Sequence, residues 1–254
     1  FYQDRPRNRS IHPPWDLSII LNTLGAPPFE PIEDPTRVSL QMLTWKTVFL
    51  VLMASGCRRS EVHALEYESL TKDLKWRWVT LKPLAHFIPK TQLKSRGASV
   101  LDDVNIYALS TILPPDLVRD RATCPVRSLK TYLSRTEHMR KNKQLLFVSH
   151  LEGHKTDIHV NTISGWVRKL ITFCYENVDS HTATLHGTST HAIRGLAATL
   201  AFRGNSSMED IMSACSWKSH NTFTSFYLKD ISGMSKDLFK LGPLVVAQNI
   251  VNPQ

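Results

Sequence analysis

Three stretches of this chain gather residue types that can act on an anion. In SGCRRSEVHAL (residues 55–65), Arg58 and Glu61 stand three apart, just past a glycine at the mouth of an expected helix. In HAIRGLAATL (residues 191–200), His191 and Arg194 share the same three-residue spacing and therefore one helical face. In SACSWKSHNTFTSFYLKD (residues 213–230), Trp217 precedes Tyr227 by ten residues. Guanidiniums stay cationic at any working pH and can clamp oxyanions with two parallel hydrogen bonds. An imidazole titrates close to neutrality, and a phenol becomes a nucleophile once it loses its proton. Each feature also has a plainer reading. Arg58 and Glu61 could form a surface ion pair worth a few tenths of a kcal/mol (on the order of 0.3). His191 could simply open a helix, and Tyr227 could pack beside Phe223 and Phe226.

The elements that must hold these residues are mostly helical. Leu17, Ile20, Leu21 and Leu24 share a face, and Gly25 suits the end of that helix. The four prolines of residues 26–35 demand a loop or extended chain. Residues 39–55 are apolar almost all round, as a core helix would be, and Gly56 ends it. A second helical stretch covers residues 60–65, with Ser60 as its cap. Residues 76–81, 86–90 and 98–104 read as strands of a small antiparallel sheet, the last two joined by the basic turn TQLKSRG. Pro125 opens a helix with Leu129, Tyr132 and Leu133 inward. Residues 161–175 form another, with Ile163, Val167, Leu170, Ile171 and Cys174 in register. Thr190 caps a helix running to Arg203 and ended by Gly204. Ser207 and Asp210 make a capping-box pair ahead of Ile211 and Met212. An amphipathic stretch follows at residues 223–228.

The chain has 254 residues, enough for a substantial core, with 42% hydrophobic and 21% charged residues. Its formal charge of +9 suggests a polyanionic partner, nucleic acid before an acidic membrane surface. Cys57, Cys124, Cys174 and Cys215 form no CxxC pair, which argues for a reducing compartment and against a disulfide framework. His150, His154 and His159 match no standard ligand spacing, and no metal is expected. No apolar stretch is long enough to cross a bilayer and no signal-peptide pattern is visible, so neither a membrane nor secretion is expected. Residues 1–14 are basic and proline-rich, and read as an arm.

In this order, the motifs resemble those of the tyrosine recombinases, the phage-integrase family. That family carries an arginine in a G-x-R-x-S-E box, a hairpin lysine, H-x-x-R, a His or Trp, and a tyrosine nucleophile. Recombinases of DIRS-type retrotransposons are the most similar in PPWDLSIILNTL, PPFEP, SGCRRSEVHAL and the W…TF…FYL ending. The match runs over residues 15–228. The resemblance implies a mainly α fold with a small antiparallel β-sheet, that of the DNA breaking–rejoining enzymes. The catalytic domain would be residues 15–242, with a tail at 243–254 and a separate N-terminal core-binding domain expected upstream, outside this chain.

The resemblance also implies roles. Tyr227 would attack a phosphodiester and leave a 3′-phosphotyrosine, while Arg58 and Arg194 clamp the phosphate and Glu61 orients Arg58. His191 would bond the phosphate or help move a proton. Trp217, standing where many members have histidine, could donate its indole N–H but transfer no proton. Lys90 would be the general acid, with Lys94 as the alternative. The second histidine of the common HxxRH form is Gly195 here, and the step from Trp217 to Tyr227 is a residue longer than in many phage and bacterial members. No cofactor is implied. The partner would be double-stranded DNA, gripped by a homotetramer that could be monomeric in solution, and the location nuclear if the host is a eukaryote. A DNA track is expected from Arg5, Arg7, Arg9, Arg119, Arg121, Arg127, Lys130, Arg140, Lys141 and Lys143, with Arg168 and Lys169. The apolar stretch from residue 244 to 251 could be exchanged between subunits or pack on its own. A type IB topoisomerase and a domesticated, non-catalytic DNA-binding module are the competing readings.

Overall fold

The structure, a computed structural model, describes residues 15–89, 103–113, 121–176, 190–217, 219–231 and 244–245. Helix α1 (Leu17–Leu24) starts where the Asp16 carboxylate accepts the Ser18 N–H at 2.8 Å. Its four leucine and isoleucine positions are buried as the periodicity requires. Gly25 closes it in right-handed conformation, φ −82°, so glycine's freedom is not used there.

Helix α2 (Leu40–Ser55) is the centre of the molecule. The Ser39 hydroxyl accepts the Met42 N–H at 3.2 Å, and every side chain from Leu43 to Ser55 is buried. Three later helices pack around it: α5 (Pro125–Thr136), α6 (Val160–Glu176) and α7 (Thr190–Arg203). The Thr47 and Ser128 hydroxyls meet at 2.8 Å across the α2–α5 seam. Gly56 ends α2 at φ +59°, a left-handed turn that side chains rarely tolerate. A Cβ there would stand 3.0 Å from Cys215 Sγ and 3.1 Å from Val245 Cγ1. This turn aims the chain into α3 (Arg59–His63). Ser60 is therefore inside α3, and the N-cap is Arg58.

The sheet is antiparallel, in the order β1 (Thr71–Lys72), β2 (Trp78–Leu81), β3 (Val104–Tyr107). Trp78 pairs with Tyr107 and Leu81 with Val104, which turns Val79, Leu81, Val104 and Ile106 inward. The expected strands are only partly correct. Trp76 sits at φ 55° in a turn closed by its N–H on the Asp73 carbonyl, so the strand begins at Trp78. Residues 86–89 form no strand, because Phe87 donates back to Leu84 in a tight turn. The third strand starts at Val104, where the expected one ended, and the exposed pair of β1 carries no apolar alternation to announce it.

Short α4 (Leu109–Ile112) leads from β3 toward α5. Beyond α7, Asn205 rather than Gly204 takes the left-handed position, at φ 65°, and Ser206 donates to Ala201 at 3.0 Å. Ser207 caps α8 (Met208–Ala214), accepting the Asp210 N–H while its hydroxyl donates to the Asp210 carboxylate. Helix α9 (His220–Thr222) runs directly into a π-helical turn, Phe223–Tyr227, in which Leu228 donates to the Phe223 carbonyl at 2.8 Å. Leu244 and Val245 are buried at 5% and 7% exposure in the same core. These two residues thus pack on their own chain.

One ion network anchors the N-terminal half of α2. Lys46 is fully buried, and its Nζ donates to the Glu30 carboxylate and to the Leu24 carbonyl. Arg127 clamps Glu30 and Glu33 with four N–H···O bonds of 2.7–2.9 Å. The proline-rich loop is thereby tied to α2 and α5. Burial would raise the Glu30 carboxyl, but hydrogen bonds and charge from Arg127 and Lys46 outweigh it and hold it below its ordinary value of 4.5. A depressed folded-state value means that this contribution is complete above 4.5 and is lost as pH falls through the lower value. Urea midpoints should accordingly drop on acidification below pH 4.5, and less steeply in Glu30→Ala. That variant should already be destabilised at neutral pH by about 3–5 kcal/mol, since it strands Lys46 in the core.

Candidate active site

The site is built where the Gly56 turn meets the middle of α7. Because Arg58 is the N-cap of α3, its backbone N–H needs an acceptor, and Glu61 at the third helical position supplies one at 2.6 Å. The other oxygen of that carboxylate accepts Arg58 Nη1, also at 2.6 Å. Arg194 then reaches Glu61 from α7, Nη1 to Oε2 at 3.4 Å. Glu61 is 2% exposed and Arg194 1%. The pair that could have been a surface salt bridge is instead a buried carboxylate shared by two guanidiniums.

Arg194 is held further by Nη2 donating to the Cys215 carbonyl at the end of α8. Among the described residues, its Nε–H has no acceptor, and neither has the Trp217 indole N–H. Buried donors of this kind cost free energy until an acceptor arrives. Trp217 lies over the Arg194 guanidinium, 4.9 Å from Cζ to ring centroid, and Tyr227 lies 5.9 Å from the same carbon. The Trp217 and Tyr227 ring centroids are 4.6 Å apart, and Phe223 stacks on Trp217 at 5.5 Å. Arg58, Glu61, Arg194, Trp217 and Tyr227 are therefore one contiguous cluster. Tyr227 is half-buried, its position fixed by the π-turn.

His191 is exposed on α7, one turn before Arg194. Lys90 and Lys94 lie outside the described residues, as do Arg5, Arg7, Arg9 and Arg119. The remaining cations divide. Arg121, Lys130, Lys141, Arg168 and Lys169 are exposed. Arg140 and Lys143 are buried at 7% exposure and must be corrected as members of a surface track. Arg140 packs between Tyr67 and Tyr132, 4.3 and 5.5 Å from their ring centroids, and donates to Thr136. Lys143 donates to the His154 carbonyl at 2.6 Å. Arg127 is occupied by Glu30 and Glu33.

Some participants left no mark in the sequence. The Cys215 carbonyl is backbone and has no residue signature. Thr199 donates to the Gly195 carbonyl at 2.7 Å and accepts the Lys229 N–H at 3.0 Å, lashing the segment after Tyr227 to α7. Gly195 admits that segment: a Cβ there would stand 3.1 Å from the Tyr227 carbonyl oxygen and 3.6 Å from its ring. The departure from HxxRH thus has a steric reason. Cys57 and Cys215 also lie at the site, but burial pushes their thiols up to about 12 and about 11, so neither offers a thiolate. Among the described residues no three His, Cys, Asp or Glu side chains cluster as metal ligands, and no helix is long and apolar enough to cross a membrane.

The chain is mainly helical with a small antiparallel sheet, and its fold is that of tyrosine recombinase catalytic domains. It superposes on XerH site-specific recombinase bound to its difH substrate, a pre-cleavage complex, with a TM-score of 0.51 over 82% of this chain at 14% identity. The post-cleavage complex of XerH with palindromic difH gives 0.50 over 82% at 15%. XerA recombinase gives 0.46 over 83% at 15%. The chain spans about half the length of the XerH chains, 47% and 48%. No family model and no curated protein matches the sequence.

Removing the shared carboxylate should be expensive. Glu61→Gln leaves Arg58 and Arg194 facing each other with no counter-charge, and the expected loss in urea denaturation is about 3–5 kcal/mol. A loss below about 1 kcal/mol would mark the pair as an ordinary surface bridge.

Proposed function

We propose that this chain is the catalytic domain of a tyrosine recombinase that cuts and rejoins double-stranded DNA through Tyr227. The observation that carries the reading is the cluster itself. Two guanidiniums share one buried carboxylate, two N–H donors have no acceptor among the described residues, and a tyrosine ring lies against the same charge. An oxyanion would supply both the missing acceptor and the missing negative charge. A phosphodiester fits, since attack adds charge to its equatorial oxygens and preorganised cations lower that barrier most.

In this reading the Tyr227 hydroxyl gives its proton to solvent, and its oxygen bonds to phosphorus as the bond to the 5′ oxygen breaks. The leaving oxygen takes a proton from Lys90, with Lys94 as the alternative, and His191 bonds the phosphate. A 5′ hydroxyl then attacks the phosphotyrosine and rejoins the strand, using bond energy kept in the protein–DNA ester. Trp217 donates its indole N–H to a phosphate oxygen. The pre- and post-cleavage complexes of XerH site-specific recombinase with its difH substrates support DNA as the partner. A mobile-element role, a tetramer on DNA, a nuclear location and a core-binding domain elsewhere in the parent protein belong to the same proposal, on the strength of the DIRS-type motifs.

The test is a duplex nicked beside the cleavage position, which traps the covalent intermediate. The wild type should yield an adduct resistant to denaturation and Tyr227→Phe none, with DNA binding retained. Arg194→Lys should slow adduct formation by about 10²–10³-fold, because an ammonium cannot reproduce the fork. Equal trapping by Tyr227→Phe would remove Tyr227 as nucleophile.

A further inference from the structure

A second gathering of cations lies apart from the Arg194 cluster. A cleft of about 860 Å³ opens beside the β1–β2 turn, with Pro35, Ala108, Leu109 and Val126 as its apolar lining. Helix α5 contributes Arg127, Lys130, Thr131 and Ser134, whose spacing along the chain puts them on one helical face. Among the described residues, five cations line the cleft, Arg127 and Lys130 with Lys75, Arg121 and Arg135, against a single carboxylate, Glu33. Arg127 already clamps Glu33, and Arg135 Nη1 donates to the Val38 carbonyl at 2.7 Å. Lys75, Arg121 and Lys130 pair with no acid among the described residues.

Trp76 also lines the cleft and fixes where charge stands beside it. It holds φ 55°, which bulky side chains rarely adopt, and its ring centroid is 5.6 Å from Lys130 Nζ and 4.6 Å from Lys72 Nζ. The acid of that turn, Asp73, is bonded to Arg77. The active site is elsewhere. The cleft takes Ala108 and Leu109 from beyond the Tyr107 end of β3, whereas the segment bearing Lys90 joins the strands at the Leu81–Val104 end. Its α5 wall is pinned to α2 where Ser128 meets Thr47, about 13 Å along that helix from the Gly56 turn.

We propose that this cleft is a second anion site that takes a nucleotide, with phosphate on Lys75, Lys130 and Arg121 and the base against the apolar lining. Its volume suits a small-molecule pocket, which spans about 300–1,000 Å³. A terminal phosphate brings close to two charges on one group, which suits several cations around one cleft better than single carboxylates do. Inorganic phosphate would leave the apolar lining unused. A duplex keeps its bases stacked inside and offers only its backbone, whereas a free nucleotide or the end of a single strand presents both parts. The site requires nothing of Tyr227.

Calorimetric titration with ATP in the presence of EDTA, and with 5′-phosphorylated dithymidylate, tells the two sources apart. Lys75 and Lys130 are exposed, so Lys75→Gln/Lys130→Gln should fold as the wild type does. It should weaken whichever ligand binds by about tenfold or more, the equivalent of one charge-assisted hydrogen bond. Lys141→Gln/Lys169→Gln removes the same charge from exposed positions outside the cleft and should change neither affinity. No binding of either ligand, an equal loss in both double variants, or equal affinity for inorganic triphosphate overturns the proposal. Tighter binding of an alternating glutamate–leucine peptide at Lys75 and Lys130 overturns it in favour of an acidic protein partner. Adduct formation on the nicked duplex at saturating DNA should be unchanged in Lys75→Gln/Lys130→Gln. Absence of an adduct from the wild type counts against the recombinase reading alone.

Discussion

A carboxylate that serves two guanidiniums cannot neutralise both, and the molecule is arranged around that imbalance. Glu61 is almost wholly removed from water, as is Arg194, so the unmatched positive charge lies where the local dielectric is low. An excess cation in such a place is costly unless something negative completes it. The fold tolerates the cost because Arg194 is also braced by a carbonyl and an indole face, and because Arg58 remains partly exposed at its outer edge. Burial, hydrogen bonding and unmatched charge meet in the same few contacts, which makes this an unforgiving corner of the fold.

Helix α2 converts that local arrangement into a rigid one. Its two ends are handled oppositely. The end near Lys46 closes in a network of matched charges among Lys46, Glu30, Glu33 and Arg127, while the other ends in the Gly56 turn beside charges left incompletely matched. Between them lies a helix with no polar face, packed by α5, α6 and α7. Such a rod has little freedom to rotate or slide, since interiors at this packing density resist small displacements. Arg58 and Arg194 inherit their separation from it.

The sequence was legible wherever a pattern is local. The cap at Ser207, the all-apolar run of α2, the Pro125 start and the register of α6 need only neighbouring residues. It was illegible where partners are distant in the chain. Spacing could suggest that Arg58 and Glu61 touch, but only the arrival of α7 makes their contact buried and three-sided. Arg140 and Lys143 read as surface cations because nothing nearby announces the tyrosines and carbonyls that enclose them. The strand errors have the same origin: β1 is too short and polar to show a period, and Trp76 looks like strand while occupying a turn. The motif order singled out Tyr227, but a helical period could not show that the chain widens into a π-turn there. Lys90 and Lys94 lie outside the described residues, so their proposed role rests on the motif alone.

The grip of Arg194 on the Cys215 carbonyl carries an evolutionary consequence. Every residue type presents the same carbonyl oxygen, so a side chain can be exchanged at position 215, within the space beneath Gly56, without loosening the guanidinium. What cannot drift is the path of the main chain, set by Ser216 at φ 47° and by the Trp217 N–H returning to Met212. Selection at this corner therefore acts on shape more than on letters, and two descendants could keep one arginine in place while sharing little text around it.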